Sequence, residues 1–309
     1  MRDPGVPAIV MRDVTKRYGR RTAIDRLSIE VPAGVVAGLI GPNGAGKTTA
    51  MAMLLGLVSP TAGRGSVLGG PLGRPASYLH RVGALIEEPA FYPHLTGREN
   101  LRLLATFGRV DPSGIPGLLE LVELDSRADD RVGHYSMGMR QRLGIAAALL
   151  GDPALLILDE PTNGLDPAGI REMRDLIGTL GDGARTVLVS SHVLSEVEQI
   201  CDWFVVIDRG RVVFEGPSAR LLGDGDRVVA APEAPADLQR LARLLEGMGH
   251  RVHARERDIA VPVGDSDPAV LAAALNRAAM EEGIVLAELR RAGADLETRY
   301  LSLIGEAMS

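Results

Sequence analysis

The chain has 309 residues, of which 46% are hydrophobic and 24% are charged, a balance that suits two globular domains. Its formal charge is −6, from 34 basic and 40 acidic residues, which argues against nucleic acid as a partner because that binding needs a basic surface. The single cysteine, Cys201, excludes an intramolecular disulfide and a zinc site built from thiolates, and it suits a reducing cytosol.

The sequence shows no pattern typical of a membrane-spanning helix or a signal peptide. No stretch approaches the run of about 18 apolar residues that a membrane-spanning helix needs. Asp3 and Pro4 stand near the start of the chain and no apolar core follows them, unlike in a signal peptide. We therefore expect a protein that works at a membrane only from one side.

Strands alternate with helices over the first two-thirds of the chain. A short apolar strand over residues 35–40 ends at Gly41 and precedes a helix over 48–57, and a strand over 155–158 ends in two acids. This alternation is typical of an α/β domain with a parallel, largely buried sheet. The other strands predicted here cover residues 8–14, 28–31, 186–190, 204–207 and 212–214.

A helical subdomain is predicted within this α/β domain, over about residues 88–150. Thr96 and Glu99 fit a capping box, in which threonine occupies the N-cap and glutamate the third helical position. The helices predicted here cover residues 100–107, 116–124 and 137–150.

The composition changes at the glycine- and aspartate-rich residues 222–226, where we place a domain boundary between 1–225 and 226–309. The second domain follows the order β-α-β-β-α-β, which is typical of a small α+β, ferredoxin-like fold. It carries no recognisable chemical constellation, so we predict an accessory or regulatory role. Its predicted elements cover residues 227–231, 236–248, 251–254, 259–263, 269–280, 284–289 and 295–304.

A glycine-rich loop between the strand over 35–40 and the following helix matches the phosphate-loop pattern G-x-x-x-x-G-K-[ST] in full. Its glycines let consecutive backbone N–H groups converge on phosphate oxygens, and the helix N-terminus adds partial positive charge. Lys47 is expected to reach the β- and γ-phosphates, Thr48 to bind Mg²⁺, and Thr49 to add a phosphate contact. The loop residues are Gly41, Pro42, Asn43, Gly44, Ala45, Gly46, Lys47 and Thr48.

Two adjacent acids, Asp159 and Glu160, end the apolar strand over 155–158. Packing does not require carboxylates there, so we predict that Asp159 lies on the Mg²⁺ side and that Glu160 polarises the attacking water. Taken alone, the pair could also be two solvated acids at a strand end. Together with the loop, it indicates a P-loop nucleotide phosphatase.

Four further segments resemble those of ABC ATPases. Residues 135–142, with the sequence YSMGMRQR, are similar to the signature segment, and residues 163–166, with the sequence NGLD, are similar to the D-loop. His192 resembles the switch histidine and Tyr18 resembles the aromatic residue that stacks on adenine. The order and spacing of all six motifs match the family over about residues 8–220.

The resemblance implies roles for several residues and a RecA-like core of the P-loop NTPase type. Ser136 and Gly138 would bind the γ-phosphate held by another subunit, and Asp166 in the D-loop would belong to the same shared site. His192 would contact the γ-phosphate and hold Glu160 in place. A dimer of ATPase subunits, homodimeric or heterodimeric, is therefore expected.

The chain also departs from the usual family pattern. Met137 and Met139 replace a glycine and a glutamine of the signature, while Glu87 stands where a glutamine is usual. Glu87 is expected to reach Mg²⁺ or the water while adding negative charge. Together with the signature, the sequence around Glu87 resembles bacitracin-resistance and lantibiotic-immunity exporter ATPases.

The resemblance implies a subunit that hydrolyses ATP, with Mg²⁺, to power export of an antibiotic, peptide or lipid-like compound. A separate membrane permease would hold it at the cytoplasmic side of the cell membrane. A soluble ABC ATPase acting on DNA or ribosomes is the main alternative, and the short helical subdomain and single ABC domain weigh against it. A drug-sequestering protein with a regulatory nucleotide site is a third class, disfavoured by the presence of Glu160 and His192.

Overall fold

The computed structural model describes two compact units. The described residues are 6–87, 89–181, 183, 185–193, 197–222, 227–254, 257–263 and 267–292. The first unit covers Met1–Ser218 and the second covers Ala219–Ser309. The predicted domain boundary after residue 225 lies seven residues further along, and the helix predicted over 295–304 lies outside the described residues.

The strands described in the first unit form two sheets. They are β1 (Ile9–Tyr18), β2 (Arg21–Val31), β3 (Val36–Ile40), β4 (Ala62–Val67), β5 (Gly70–Pro71), β6 (Val82–Leu85), β7 (Leu155–Leu158), β8 (Thr186–Ser191), β9 (Trp203–Asp208) and β10 (Arg211–Pro217).

The larger sheet has six strands in the order β10-β9-β3-β8-β7-β6 and is parallel except for β10. β3, β7 and β8 are buried along their whole length, as expected of strands covered on both faces. Arg209 and Gly210 both have positive φ, and they form the tight turn that reverses the chain into β10. Because β3, β7 and β8 are parallel neighbours, their carboxyl ends meet at one edge.

The smaller sheet, in the order β2-β1-β4-β5, is antiparallel. The prediction that the two N-terminal strands belong to a parallel sheet was therefore wrong for β1 and β2. Only Gly19 and Arg20 separate the two strands, and so short a connection can join only antiparallel neighbours. Both sheets contribute side chains to one apolar core, which also contains Met51 and Leu54.

The helices of the first unit surround the larger sheet or form the helical subdomain. They are α1 (Lys47–Leu54), α2 (Gly97–Gly108), α3 (Ile115–Leu121), α4 (Met137–Leu149) and α5 (Pro167–Leu180). A short α6 (Ser218–Leu222) follows β10 and spans the boundary between the two units. In the described part of the chain, no helix combines the length and the apolar character that crossing a bilayer requires.

The capping box predicted at the start of α2 is confirmed. Thr96 Oγ1 accepts a hydrogen bond from Glu99 N at 3.1 Å, and Glu99 Oε2 accepts one from Thr96 N at 2.8 Å. Asn100 is buried and its amide bonds both the N–H and the carbonyl of Tyr92, at 2.9 and 3.1 Å. These bonds fix the loop before α2 while leaving Tyr92 59% exposed.

Several elements were not predicted. β4 and β5 are glycine-containing and partly exposed, and β6 has only four residues, so none shows a clear apolar pattern. α5 was missed although Asp166 and Pro167 give a recognisable N-cap and first helical residue. The helices and strands predicted around the motifs are present in the structure.

The second unit contains one sheet and two helices among its described residues. They are β11 (Arg227–Pro232), α7 (Leu238–Gly247), β12 (His253–Ala254), β13 (Ile259–Pro262), α8 (Pro268–Glu281) and β14 (Leu286–Ala292). The sheet is antiparallel in the order β12-β13-β11-β14, and both helices pack on the face that contains Val228 and Ala230. The ferredoxin-like assignment stays a prediction, which this sheet order supports.

Candidate functional site

The glycine-rich loop lies between β3 and α1, at the carboxyl edge of the larger sheet. A Cβ atom built on Gly41 would lie 2.2 Å from the carbonyl oxygen of Ile207, so only glycine fits where the loop leaves the strand. Gly46 caps α1 with φ 109°, a conformation that side chains rarely adopt. The sequence pattern is thus explained by close backbone packing as well as by phosphate chemistry.

Lys47 is 6% exposed and points back across the loop. Its Nζ atom donates to the carbonyl oxygen of Gly41 at 2.7 Å and lies 3.3 Å from Oε1 of Glu160. A buried ammonium group needs such partners, because desolvation without them is costly. The loop therefore holds a positive charge at its centre, beside the second of the two acids.

Asp159, at the end of β7, joins the loop to β8. Its Oδ2 atom accepts a hydrogen bond from Thr48 Oγ1 at 2.9 Å, and its Oδ1 atom accepts one from Ser190 Oγ at 2.5 Å. Ser190 Oγ in turn accepts a hydrogen bond from the backbone N–H of Glu160 at 2.9 Å. Asp159 is 8% exposed, so these bonds satisfy a carboxylate that has little access to water.

Glu160 lies between Lys47 and His192. His192 Nδ1 and Glu160 Oε2 are 2.7 Å apart, and because an ionised carboxylate only accepts, Nδ1 carries the hydrogen. The backbone of Glu160 has φ 49°, in the left-handed region that favours glycine. Strained residues of this kind are often held at functional sites, and here the strain directs the carboxylate toward the loop.

A cavity of about 390 Å³ opens over the loop. Its lining combines backbone, one lysine, one histidine, one acid and several hydroxyl or amide groups, a surface suited to an anionic ligand. The predicted residues that line it are Asn43, Gly44, Gly46, Lys47, Thr48, Thr49, Glu160 and His192, and the others are Arg21, Ala23 and Asn163. Gly41, Pro42 and Ala45 belong to the loop but are not part of this lining.

Tyr18, the predicted adenine contact, lies at the end of β1 and is 49% exposed. The Nζ atom of Lys16 lies 4.9 Å from the centre of its ring. Such a contact is a weak cation–π interaction at an exposed site. One face of the ring is therefore covered by Lys16, and Tyr18 does not line the cavity over the loop.

Glu87 lines a second cavity, of about 340 Å³, together with Asp159 and Glu160. Met137 and Arg140 of the signature segment also line it. Glu87 also has a left-handed backbone, with φ 61°. The structure thus brings Glu87 near both acids but not to the cavity that contains Thr48.

The signature and D-loop residues that were predicted to bind the nucleotide of another subunit lie outside the cavity over the loop, although Asn163 of the D-loop lines it. Ser136 is the N-cap residue of α4, and its Oγ atom accepts a hydrogen bond from the N–H of Met139 at 3.2 Å. Gly138 lies in the first turn of this helix. Asp166 caps α5 by accepting from the N–H of Gly169 at 2.8 Å. None of Ser136, Gly138 and Asp166 lines the cavity over the loop.

Sequence reasoning missed three residues of this site. Ser190 was not singled out, although a serine at the end of the predicted strand over 186–190, shortly before His192, is a usable signal. Asn163 was assigned to the D-loop, yet it lines both cavities. Arg21 stands two residues from Gly19, and no motif marks it.

Comparisons with known proteins agree with this geometry. A family model described as "ABC transporter" matches residues 24–163. The bacitracin transport ATP-binding protein BcrA of Enterococcus faecalis is 38% identical over 300 residues, which cover 96% of each chain. The lantibiotic transport ATP-binding protein SrtF of Streptococcus pyogenes is 43% identical over 205 residues, covering 66% of this chain and 89% of SrtF. A solved structure of an ATP-binding subunit of an ABC transporter has a TM-score of 0.62 and 32% identity, covering 69% of this chain and 91% of that one.

The hydrogen bonds of Ser190 generate a prediction. Ser190→Ala should lower kcat for ATP hydrolysis by about 10- to 100-fold, because Asp159 and the Glu160 N–H lose their common partner. Ser191→Ala is the matched control, since Ser191 is also buried in β8 but its hydroxyl bonds the backbone of Val193. Steady-state ATPase rates and thermal unfolding of both variants test this. Equal kcat in the two variants would contradict it.

Proposed function

The chain belongs to the ABC transporter family as an ATP-binding subunit, and on that premise we propose that it powers export of an antibiotic or peptide through a separate membrane permease. ATP hydrolysis is supported by one observation: Glu160 contacts both Lys47 and His192, beside the hydrogen bond between Thr48 and Asp159. The relatives named for bacitracin and lantibiotic transport support the exported class. Lipid-like compounds remain within the same proposal.

ATP hydrolysis assigns a separate task to each of these side chains. Glu160 accepts a proton from the attacking water, and the hydrogen bond from His192 Nδ1 orients its carboxylate for that step. The Nε2 atom of His192 is the ring nitrogen that remains to contact the γ-phosphate. Lys47 and the N–H groups of the loop stabilise the charge that develops on the phosphate oxygens.

The residues around Thr48 fit Mg²⁺. A hydroxyl and a carboxylate oxygen, which are the hard donors that Mg²⁺ prefers, lie 2.9 Å apart at Thr48 and Asp159. With ATP present, phosphate oxygens complete such a site, so few protein ligands are needed. When bound, Mg²⁺ supplies charge neutralisation on the phosphates, while Thr48 and Asp159 hold it beside the loop.

A dimer follows from the position of the signature segment. Ser136 and Gly138 form a helix N-terminus suited to phosphate, but they do not line the cavity over their own loop. A second subunit, identical or related, brings that helix end onto the γ-phosphate in a head-to-tail arrangement. ATP binding then closes the dimer and hydrolysis reopens it, and the permease responds to this motion.

The permease docks on the helical subdomain in this proposal. Tyr92 is 59% exposed and Phe107 is 71% exposed, although aromatic residues form only 3% of the chain. Exposed aromatic side chains of this kind are enriched where proteins associate. Docking there places the subunit at the cytoplasmic side of the cell membrane, with no role for nucleic acid.

One variant, Glu160→Gln, tests both the formation of an ATP-bound dimer and the binding of a membrane permease. Glu160→Gln should stop turnover and accumulate an ATP-bound dimer, because the amide cannot accept the proton from water. Tagged Glu160→Gln, incubated with Mg-ATP and solubilised native membranes, should co-purify with a multi-span membrane protein. Adding Tyr92→Ala to this variant should abolish that recovery and keep the dimer. Recovery of ribosomes or nucleic acid would contradict the transporter proposal.

The charge of Glu87 generates a further prediction. Glu87→Gln should raise the Mg²⁺ concentration for half-maximal ATPase activity by about 3-fold, because neutralising one of the three carboxylates around the second cavity weakens the attraction for the cation. ATPase rates across a Mg²⁺ series measure this. Glu120→Gln, an exposed acid on α3 outside both cavities, is the control. An unchanged Mg²⁺ series and unchanged turnover would show that Glu87 has no such role.

We propose that the second unit supports dimerisation or regulates the first unit. The alignment with BcrA of Enterococcus faecalis covers 96% of this chain and so includes most of this unit. Removal of the residues after Leu222 should weaken ATP-dependent dimerisation of Glu160→Gln, as measured by sedimentation, and should lower transport by the reconstituted complex. Unchanged dimerisation and transport would remove this role.

A further inference from the structure

Arg21 begins β2, directly across the hairpin end from Tyr18. The two residues are paired in the antiparallel ladder, and directly opposed residues place their side chains on the same face of a sheet. Arg21 also lines the cavity over the phosphate loop, together with Asn43 and Thr48. The end of this hairpin therefore places the side chains of Tyr18 and Arg21 on one face, and Arg21 belongs to the cavity wall.

The position of Arg21 relative to the loop is fixed by the backbone. Gly46 packs so closely on β2 that a Cβ atom on it would lie 2.8 Å from the carbonyl oxygen of Ala23. Gly210 bridges the two segments, since its carbonyl accepts from Asp25 N at 2.9 Å and its N–H donates to Ala45 O at 2.8 Å. These contacts hold β2 against the loop, so the backbone of Arg21 lies beside the loop.

A second contact between strands reinforces this arrangement. Arg211 donates to Asp25 Oδ2 at 2.6 and 2.8 Å, and this hydrogen bond holds the pKa of Asp25 below its ordinary value. Asp25 is thus committed to Arg211, and Glu30 is paired with Arg12. Across the described ranges of the chain, no carboxylate forms an ion pair with Arg21, and this residue lines a cavity suited to an anion.

We propose that Arg21 binds the α-phosphate of the nucleotide. The inference rests on the proposed binding of ATP, with the β- and γ-phosphates at Lys47 and Thr48 and the adenine at Tyr18. The α-phosphate lies between those two ends, on the side where Arg21 forms the wall. Guanidinium groups match phosphate geometry with two parallel hydrogen bonds, which makes arginine well suited to this position.

The α-phosphate contact predicts a specific pattern of binding. ADP has an α-phosphate between its base and its terminal phosphate, whereas inorganic pyrophosphate fills only the two phosphate positions of the loop. Arg21→Ala should therefore raise the Kd of ADP by about 10-fold, as expected for loss of a charge-assisted hydrogen bond, and leave the Kd of pyrophosphate unchanged. Arg21→Lys should raise the Kd of ADP by about 3-fold, since a lysine keeps the charge but loses the paired geometry.

Calorimetric titration of the full chain with ADP and with pyrophosphate tests this. Arg20→Ala is the matched control, because Arg20 lies in the turn beside Arg21 and outside the cavity lining. An unchanged Kd for ADP in Arg21→Ala, an equal loss in Arg20→Ala, or an equal loss of pyrophosphate binding would overturn the assignment. Retained pyrophosphate binding shows that the variant is folded. Failure of the unmodified chain to bind ADP would overturn the proposed function and the Arg21 assignment with it.

Discussion

Hydrogen bonds of Asp159 link the end of β7 to β8 and to α1, the helix that follows β3. Its two oxygens accept hydrogen bonds from Thr48 in α1, which follows β3 and the glycine-rich loop, and from Ser190 on β8, while Asp159 itself follows β7. A carboxylate with 8% exposure is tolerated only because both oxygens are bonded. The glycine-rich loop, Glu160 and His192 all follow strands that are joined by this group.

The carboxylate of Glu160 is held by two side chains of the candidate site. Lys47 and His192 lie on either side of its carboxylate, at 3.3 and 2.7 Å. In the proposed mechanism Lys47 also binds the phosphates, so nucleotide binding and the orientation of Glu160 involve one ammonium group. The strained backbone of Glu160 and the hydrogen bond from its N–H to Ser190 keep the carboxylate in place for that task.

The fold separates the two kinds of phosphate-binding surface within one chain. The loop that binds phosphate with backbone N–H groups lies at the edge of the parallel sheet, whereas the signature helix end lies in the helical subdomain. Ser136 and Asp166 cap their own helices, which rigidifies both segments without completing the site. In the proposed mechanism, a subunit of this kind does not hydrolyse ATP as a monomer and must associate with a second subunit for each turnover.

The sequence by itself determined the phosphate loop, the two acids, the capping box and the family, because each depends on residue types at fixed local spacing. It did not determine that β1 and β2 form a separate antiparallel sheet, nor that β6 completes the parallel one, since short or glycine-rich strands carry little periodicity. Ser190 and Arg21 acquire their roles only through neighbours that are distant in sequence. Long-range packing decides such contacts, and for that reason only the tertiary structure shows which side chains line the cavity over the glycine-rich loop.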